Sequence, residues 1–240
     1  CYVNAILQQF FAIKPLRNSI MSYSGDHPLL AELSHLFFLM KHAKTKFVNP
    51  SFMIEKWEMR PNEFLNPRIQ HDAAEMMQFL ISVFENGEEL KETVNSLFVG
   101  QFSHPIDGID LEYHTETAEP FDLVELKVQE CKDLKDSFLN LSKPELFLND
   151  SQYFAEDLGY RINAKRSTFI QKAPPVLIIH LMRFYYNYSM NKKNKITNPF
   201  TIYKTIDISN VCTDKQAKMT YSLIGVIVHN GNAESGHYFS

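Results

Sequence analysis

The sequence predicts an α+β fold, because helical patterns fill its first part and strand patterns fill most of the rest. Residues 1–14, 29–40 and 72–84 carry apolar side chains at the three- and four-residue spacing of an amphipathic helix. Residues 119–128 instead alternate polar and apolar side chains, and residues 174–181 form a continuous apolar run. With 240 residues, of which 45% are hydrophobic, the chain can bury a substantial core.

The helical part is divided by proline and by glycine. We predict a helix over 1–14, a second over 29–40, short helices and loops over 44–69, and a third helix over 72–84. Pro15 interrupts the first helix and can open a short helix of its own, since proline fits the first turn. Asn86 and Gly87 end the third helix.

Short strands follow in the second part of the chain. We predict strands over 98–103, 119–128, 166–170, 175–181 and 221–228, a short helix over 133–139, an exposed polar loop over 187–198, a turn over 230–235 and a returning strand over 237–239. The run over 174–181 has no polar face, which is typical of a buried core strand.

Charge and cysteine content exclude several functions. A formal net charge of −4 argues against a general nucleic-acid binder, and no apolar run approaches the ~20 residues of a membrane span. The three cysteines are few, odd in number and far apart, so a disulfide framework is not expected. A reducing compartment, the cytoplasm or the nucleus, is therefore the expected location. No C-x-x-C spacing is present, and we expect neither a metal nor another cofactor.

Cys1 stands at the head of the first predicted helix, where free backbone N–H groups and the helix dipole favour a thiolate. The other end of the chain supplies a possible base, His237, at the start of the returning strand. A thiolate near an imidazole that can protonate a leaving amine is the arrangement of a thiol protease. The alternative is that Cys1 is a small buried residue and His237 an ordinary strand histidine.

Other histidines are weaker candidates. His229 ends a strand and is the second choice as base, while His180 lies in an apolar run and is expected to be a satisfied core residue. His104, His114 and Cys131 match no common zinc spacing.

Asp72 and Glu75 lie three residues apart at the start of the third predicted helix. They fit a capping box, with Asp72 as N-cap and Glu75 at the third helical position. The functional alternative is an acidic patch that binds a basic segment of a substrate.

Four segments, taken together and in this order, resemble the ubiquitin-specific protease family of deubiquitinating enzymes. Residues 1–8 (CYVNAILQ) resemble its cysteine box, and residues 70–75 (QHDAAE) resemble its Q-Q/H-D-x-x-E box. Residues 174–184 (PPVLIIHLMRF) are similar to a strand of the family. Residues 221–231 (YSLIGVIVHNG) and 235–240 (SGHYFS) are similar to its histidine box.

This resemblance implies a papain-like core with a helical thumb, a palm built from an antiparallel sheet, and fingers. It implies one catalytic domain over 1–240, truncated at both ends, with mostly thumb over 1–97, mostly fingers over 98–170 and mostly palm over 171–240. Ubiquitin and ubiquitinated proteins are the implied partners: the globular part of ubiquitin rests on the fingers, and its tail runs between thumb and palm. The implied reaction is hydrolysis at the C-terminal glycine of ubiquitin.

The resemblance also implies roles for individual residues. Cys1 matches the nucleophile and His237 the catalytic histidine, whereas His229 matches a position that is not catalytic. Asp72 and Glu75 match positions that meet the arginines of the ubiquitin tail, and this role can coexist with capping. Tyr238 is expected to contact the substrate.

Two departures from the family pattern matter. Zinc-binding fingers of the family use two C-x-x-C pairs, but the corresponding slots here, 104–110 and 153–159, hold no cysteine, so we expect no zinc. The residues that support the oxyanion and orient the histidine are expected before Cys1 and after Ser240. We therefore expect the chain to be part of a longer protein with flanking domains, and to be weak or inactive alone.

Two alternatives to an active deubiquitinase remain. One is an inactive ubiquitin-binding scaffold that keeps the motifs and has lost a supporting residue. The other is an N-terminal-nucleophile hydrolase in which the α-amine of Cys1 is the base, and this alternative leaves the histidine box unexplained.

Overall fold

The structure, a computed structural model, describes residues 1–66, 68–216 and 218–240. The chain divides into two compact units. The first consists of Cys1–Leu97 with Ile224–Ser240, and the second of Phe98–Leu223.

Seven α-helices and seventeen strands occur in these described ranges. The helices are α1 (Tyr2–Ala12), α2 (Lys14–Met21), α3 (Pro28–His42), α4 (Ser51–Ile54), α5 (Ala73–Asn86), α6 (Glu88–Phe98) and α7 (Leu134–Leu141). The strands are β1 (Glu58–Arg60), β2 (Glu63–Phe64), β3 (Gly100–Gly108), β4 (His114–Phe121), β5 (Val124–Lys127), β6 (Glu145–Phe147), β7 (Tyr153–Ala155), β8 (Tyr160–Ile162), β9 (Ala164–Arg166), β10 (Phe169–Lys172), β11 (Ile179–Met182), β12 (Phe184–Asn187), β13 (Lys192–Lys195), β14 (Thr205–Asp207), β15 (Thr220–Ser222), β16 (Val228–Gly231) and β17 (Gly236–Phe239).

Helices dominate the first unit, as the sequence predicts. The predicted helices at 1–14, 29–40 and 72–84 are confirmed as α1, α3 and α5, and Pro15 lies in the first turn of α2. Helix α6 was not predicted, because its few apolar side chains are outnumbered by charged and polar ones. Three of its four apolar side chains, those of Leu90, Val94 and Phe98, are completely buried.

The core of the first unit fixes α1 by aromatic contacts. Phe10 is completely buried, and its ring lies 5.4 Å from that of Phe84 on α5 in an edge-to-face arrangement. Phe11 meets Phe37 of α3 in the same way, with 5.3 Å between the ring centroids. Edge-to-face ring pairs add stability beyond that of burying their apolar area, so these two contacts attach α1 to α5 and to α3.

Strands dominate the second unit. Its largest sheet has five strands, in the order β10-β3-β9-β6 with β4 also paired to β3, and all these pairings are antiparallel. Strands β7–β8, β12–β13 and β14–β15 form separate antiparallel pairs. Helix α7, predicted at 133–139, packs Leu134 and Phe138 into the main apolar cluster of this unit.

Two predicted strands differ in the structure. The strand expected over 119–128 is divided into β4 and β5, and the strand expected over 175–181 begins only at Ile179. Prolines 174 and 175 have no backbone N–H to donate to a neighbouring strand, so the first residues of the apolar run do not pair in a sheet. Strand β11, in the segment for which the resemblance implies an antiparallel sheet, pairs in parallel with β5.

Two further predictions are corrected. The exposed loop expected over 187–198 begins with a hairpin, because β12 and β13 pair around a turn in which the Asn187 side chain accepts from the Met190 N–H. Strand β13 carries polar side chains on both of its faces, so it lacks the alternation of polar and apolar residues by which a strand is predicted. Of the strand expected over 221–228, only 221–222 at the end of β15 and residue 228 at the start of β16 lie in strands. Ile224, between these two strands, is 64% exposed.

No helix within the described ranges is long and apolar enough to cross a membrane.

Replacing Phe10 by Ala should reduce the free energy of unfolding by about 3–5 kcal/mol, the usual cost of emptying a fully buried phenylalanine site. Chemical denaturation followed by circular dichroism measures this loss. Phe47 is 82% exposed, so Phe47→Ala is the matched control and should change stability by less than about 0.5 kcal/mol. Equal losses in the two variants would contradict the packing described for α1.

Candidate active site

Cys1 occupies the N-cap position of α1, as the sequence predicts. Its carbonyl accepts from the Ala5 N–H at 3.1 Å, and its side chain makes no capping hydrogen bond. The residue is exposed. The thiol therefore stands at the positive end of the helix dipole and remains accessible to a reactant.

A two-stranded hairpin carries His237. Strands β16 and β17 pair with Asn230 opposite His237 and His229 opposite Tyr238. The Asn232 side chain closes the turn by accepting from the N–H groups of Glu234 and Ser235, at 2.9 and 2.8 Å. The turn and the returning strand predicted here are confirmed, and the hairpin register decides on which face His237 lies.

Glycine is required at position 236, immediately before His237. A Cβ atom there would lie 2.2 Å from Nε2 of His229 and 2.5 Å from the carbonyl oxygen of Asn230. No other residue fits without displacing the hairpin, because one of these atoms belongs to the backbone.

The thiol contacts the histidine strand through the backbone of the next residue. The Tyr238 N–H donates to Sγ of Cys1 at 3.4 Å. His237 is exposed, and among the described residues its imidazole makes no hydrogen bond. The structure thus brings together α1 and the strand of His237, while the sulfur is bonded to backbone and not to the imidazole.

A short segment before α5 completes this cluster. The Gln70 side chain donates to the Gly236 carbonyl at 3.2 Å, and the Tyr2 hydroxyl donates to the Ile69 carbonyl at 3.4 Å. The ring of Tyr2 also meets that of His71 edge to face, with 5.7 Å between centroids. Sequence reasoning did not assign these positioning contacts, although Gln70 and Tyr2 both lie inside motifs that the sequence displays.

The two acidic residues of α5 are not equivalent. Asp72 is the N-cap, and its Oδ1 accepts from the Ala74 N–H at 2.8 Å, so its predicted capping role is confirmed. Glu75 is exposed, and in the described part of the chain it makes no bond back to the Asp72 N–H. The reciprocal half of the expected capping box is therefore wrong, and the Glu75 carboxylate points into solvent.

Tyr238 links the hairpin to α5. Its hydroxyl lies near the Ala73 N–H, one of the donors that the start of a helix leaves without an internal partner. Burial raises the pKa of the Tyr238 phenol, the Asp72 carboxylate raises it further, and the Ala73 backbone N–H lowers it. The side chain is thus held neutral and half-buried between two elements of the site.

The remaining histidines have structural contacts. His229 packs on the Tyr238 ring with 4.6 Å between centroids, and its own ring covers Gly236. His180 pairs with the Glu125 carboxylate at 3.3 Å, so it is satisfied as predicted, but its side chain is 26% exposed and it is not the core residue that was expected.

The histidines considered for a metal also pair with protein groups. His104 contacts the Thr168 hydroxyl and Glu119, and His114 contacts Asp107. Over residues 1–66, 68–216 and 218–240, no group of three or more His, Cys, Asp or Glu side chains is arranged to hold a metal ion.

The three cysteines should differ in reactivity because they differ in exposure. Cys1 is exposed, Cys131 is half-buried beside the Asn140 amide, and Cys212 is buried with its S–H donating to the Ile208 carbonyl. Burial, with help from Asp207 and Asp214, raises the pKa of the Cys212 thiol.

Alkylation of the native protein, mapped by mass spectrometry, should therefore modify Cys1 first, Cys131 more slowly and Cys212 only after unfolding. The same experiment in denaturant is the control, because all three thiols should then react. Native modification of Cys212 as fast as Cys1 would contradict the structure.

Comparison with known proteins supports one interpretation of this cluster. The sequence profile of the family described as ubiquitin carboxyl-terminal hydrolase matches residues 1–240. Ubiquitin carboxyl-terminal hydrolase 15 of Saccharomyces cerevisiae is 28% identical over 262 residues, which cover 100% of this chain and 21% of that protein. Ubiquitin carboxyl-terminal hydrolase 34 of Mus musculus is 28% identical over 100% of this chain and 7% of its own length.

Ubiquitin carboxyl-terminal hydrolase 26 of Arabidopsis thaliana is 29% identical, over 99% of this chain and 23% of that protein. The chain thus spans less than a quarter of each of these relatives. The profile match extends over all four motifs and over the cluster around Cys1. This chain therefore belongs to the ubiquitin carboxyl-terminal hydrolase family, whose catalytic domain has the papain-like cysteine protease fold.

Proposed function

We propose that this protein is a deubiquitinase, which hydrolyses the isopeptide or peptide bond at the C-terminal glycine of ubiquitin with a cysteine thiol. One observation carries the proposal: an exposed cysteine at a helix N-terminus lies against the strand of His237, in a chain matched throughout by the family profile. The partners are ubiquitin and ubiquitinated proteins. Three free thiols are compatible with action in the cytoplasm or nucleus.

Cys1 is the nucleophile in this proposal. Its thiolate attacks the carbonyl carbon of the terminal glycine and forms a tetrahedral oxyanion. The N–H groups at the start of α1 have no internal partners, and they are suited to stabilising the negative charge that develops there. Collapse of the intermediate breaks the bond to the lysine amine and leaves a thioester on Cys1.

His237 transfers the protons of both steps. It takes the proton of the thiol, gives it to the departing lysine amine, and then activates the water that hydrolyses the thioester. In the structure the sulfur is bonded to the Tyr238 N–H, so the imidazole must turn toward the sulfur before reaction. Catalytic hydrogen bonds are often loose before substrate binds.

Asp72 and Glu75 bind the arginines of the ubiquitin tail in this proposal. Glu75 is exposed and free of internal hydrogen bonds in the described ranges, so its carboxylate can form a charge-assisted pair with a guanidinium. Asp72 uses one oxygen for the cap and can offer the other. Tyr238 borders the same space and presents the edge of a neutral ring to the substrate. By family analogy, the helices of the first unit form a thumb and the five-stranded sheet belongs to the fingers.

Replacing Cys1 by Ala in the full-length protein should abolish cleavage of a ubiquitin–fluorophore substrate, because no other group supplies the nucleophile. Release of the fluorophore measures the reaction. Cys131→Ala is the matched control and should keep at least half of the activity, since the proposed reaction does not use the Cys131 thiol. Undiminished cleavage by Cys1→Ala would overturn the assignment. A wild-type protein that binds ubiquitin without any cleavage would identify the scaffold alternative.

Charge and capping can be separated at the start of α5. Glu75→Gln and Asp72→Asn each remove a negative charge, and asparagine caps a helix about as well as aspartate. We expect both variants to weaken ubiquitin binding about three- to tenfold with little change in stability. Asp72→Ala should in addition cost about 1 kcal/mol of stability, because the cap is lost.

Calorimetric titration with ubiquitin and thermal denaturation give the two readouts. Glu85, an acid on the last turn of the same helix, provides the control Glu85→Gln, which should alter neither quantity. Unchanged ubiquitin affinity in Glu75→Gln and Asp72→Asn would show that these acids serve the helix alone.

A further inference from the structure

Gln70 contacts the strand of His237, yet the proposed reaction gives it no role. Its side-chain amide donates to the Gly236 carbonyl at 3.2 Å, across 166 positions of the chain. Gly236 immediately precedes His237, and both belong to β17. Gln70 is exposed, so its side chain adds little to the core of the first unit. The bond therefore acts mainly on the strand that carries His237.

His237 lies between two peptide groups that are both anchored on the helical part of the unit. The group before it contains the Gly236 carbonyl, which accepts from Gln70. The group after it contains the Tyr238 N–H, which donates to Sγ of Cys1 at 3.4 Å. Because each peptide group is planar, anchoring both of them fixes the backbone of His237 and leaves its side-chain torsions as the main freedom.

The backbone around Gln70 is fixed by the residue that follows the nucleophile. The Tyr2 hydroxyl donates to the Ile69 carbonyl at 3.4 Å, and the Tyr2 ring packs edge to face on His71. Tyr2 is only 2% exposed, so it is itself held by the core. The neighbours of Gln70 on both sides are thus attached to the start of α1, and the Gln70 amide carries this position over to β17.

No neighbouring strand holds His237 in place of these contacts. Within the described ranges, β16 and β17 pair only with each other. A two-stranded hairpin is at best marginally stable by itself, so its position depends on contacts with its surroundings. The Gly236 carbonyl is a point where a side chain of the helical part makes such a contact.

The two anchors of His237 do not persist equally through the proposed reaction. The Tyr238 N–H uses Sγ of Cys1 as its acceptor, and hydrogen bonds to an ionised acceptor are about twice as strong as those to a neutral one. Acylation joins the sulfur to the carbonyl carbon of the terminal glycine and removes its charge. A neutral sulfur is a weak acceptor, so this anchor weakens when His237 must activate water. The bond from Gln70 does not involve the sulfur and remains.

We propose that Gln70 is a positioning residue, which holds His237 in place while the thioester is hydrolysed. In this step the imidazole takes a proton from water, the hydroxide oxygen bonds to the thioester carbonyl carbon, and the C–S bond breaks. Ubiquitin leaves with a free carboxyl group, and the proton returns from the imidazolium to the thiolate of Cys1. The inference rests on the proposed function and assigns Gln70 to its second half.

The test compares cleavage of a ubiquitin–fluorophore substrate by the full-length protein and by its Gln70→Met variant, because methionine has a similar length and no N–H donor. Loss of the bond should lower kcat by at least about tenfold, in line with the cost of misplacing a catalytic group. KM should fall with kcat, since hydrolysis of the thioester becomes the slow step. Mass spectrometry after acid quenching should show more ubiquitin adduct on Cys1 in the variant than in the wild-type protein.

Gln70→Glu is a second variant, which keeps the length of the side chain and places a carboxylate acceptor against the Gly236 carbonyl. It should show the same fall in kcat and the same accumulation of adduct. Gln129, which is exposed in the turn after β5, supplies the control Gln129→Met, and this change should alter neither kcat nor the amount of adduct. Thermal denaturation establishes that each variant is folded.

A wild-type kcat in both Gln70 variants, or a lower kcat without accumulation of the adduct, would overturn the role of Gln70 while leaving the proposed function intact. A higher KM with kcat unchanged would show that Gln70 binds substrate and does not position His237. Absence of cleavage by the wild-type protein would instead overturn the proposed function, and this inference with it.

Discussion

The hydrogen bond from the Tyr238 N–H to Sγ of Cys1 is the contact on which the proposed site depends. It joins residues 237 positions apart and brings a helix N-terminus to the strand that carries His237. One such bond is weak, so neighbouring interactions must hold its two sides in place. On the helix side, Phe10 and Phe11 pack against aromatic rings of α5 and α3 and so fix the position of α1. On the strand side, the Gln70 side chain donates to the Gly236 carbonyl, and the half-buried Tyr238 side chain lies near the start of α5.

Close packing at Gly236 explains why this arrangement needs so particular a sequence. The His229 ring covers the glycine and packs on Tyr238, so one residue before the turn and two residues after it share one small space. The His229 ring therefore fills the space beside Gly236 and Tyr238. The same packing leaves His237 on the exposed side of β17, where a substrate can reach it.

Local patterns predict the parts of the site but not the way they are joined. Cys1 at a helix head, Asp72 at an N-cap and His237 on a returning strand each follow from spacing and capping chemistry. The contacts of Gln70 with Gly236 and of Tyr238 with Ala73 span more than 160 residues, and no local period encodes such pairings. The division of 119–128 and the polar hairpin β12–β13 were missed for a related reason, since partner strands decided them and hydrophobic alternation did not.

The central claim is that Cys1 is the residue that attacks ubiquitin. Its most direct test is to react the full-length protein with ubiquitin that carries an electrophile in place of its terminal carboxylate, and to map the covalent adduct by mass spectrometry. The account predicts one adduct, on Sγ of Cys1, and its loss when His237 is replaced by Ala. An adduct on Cys131 or Cys212, or no adduct with a protein that binds ubiquitin, would contradict it.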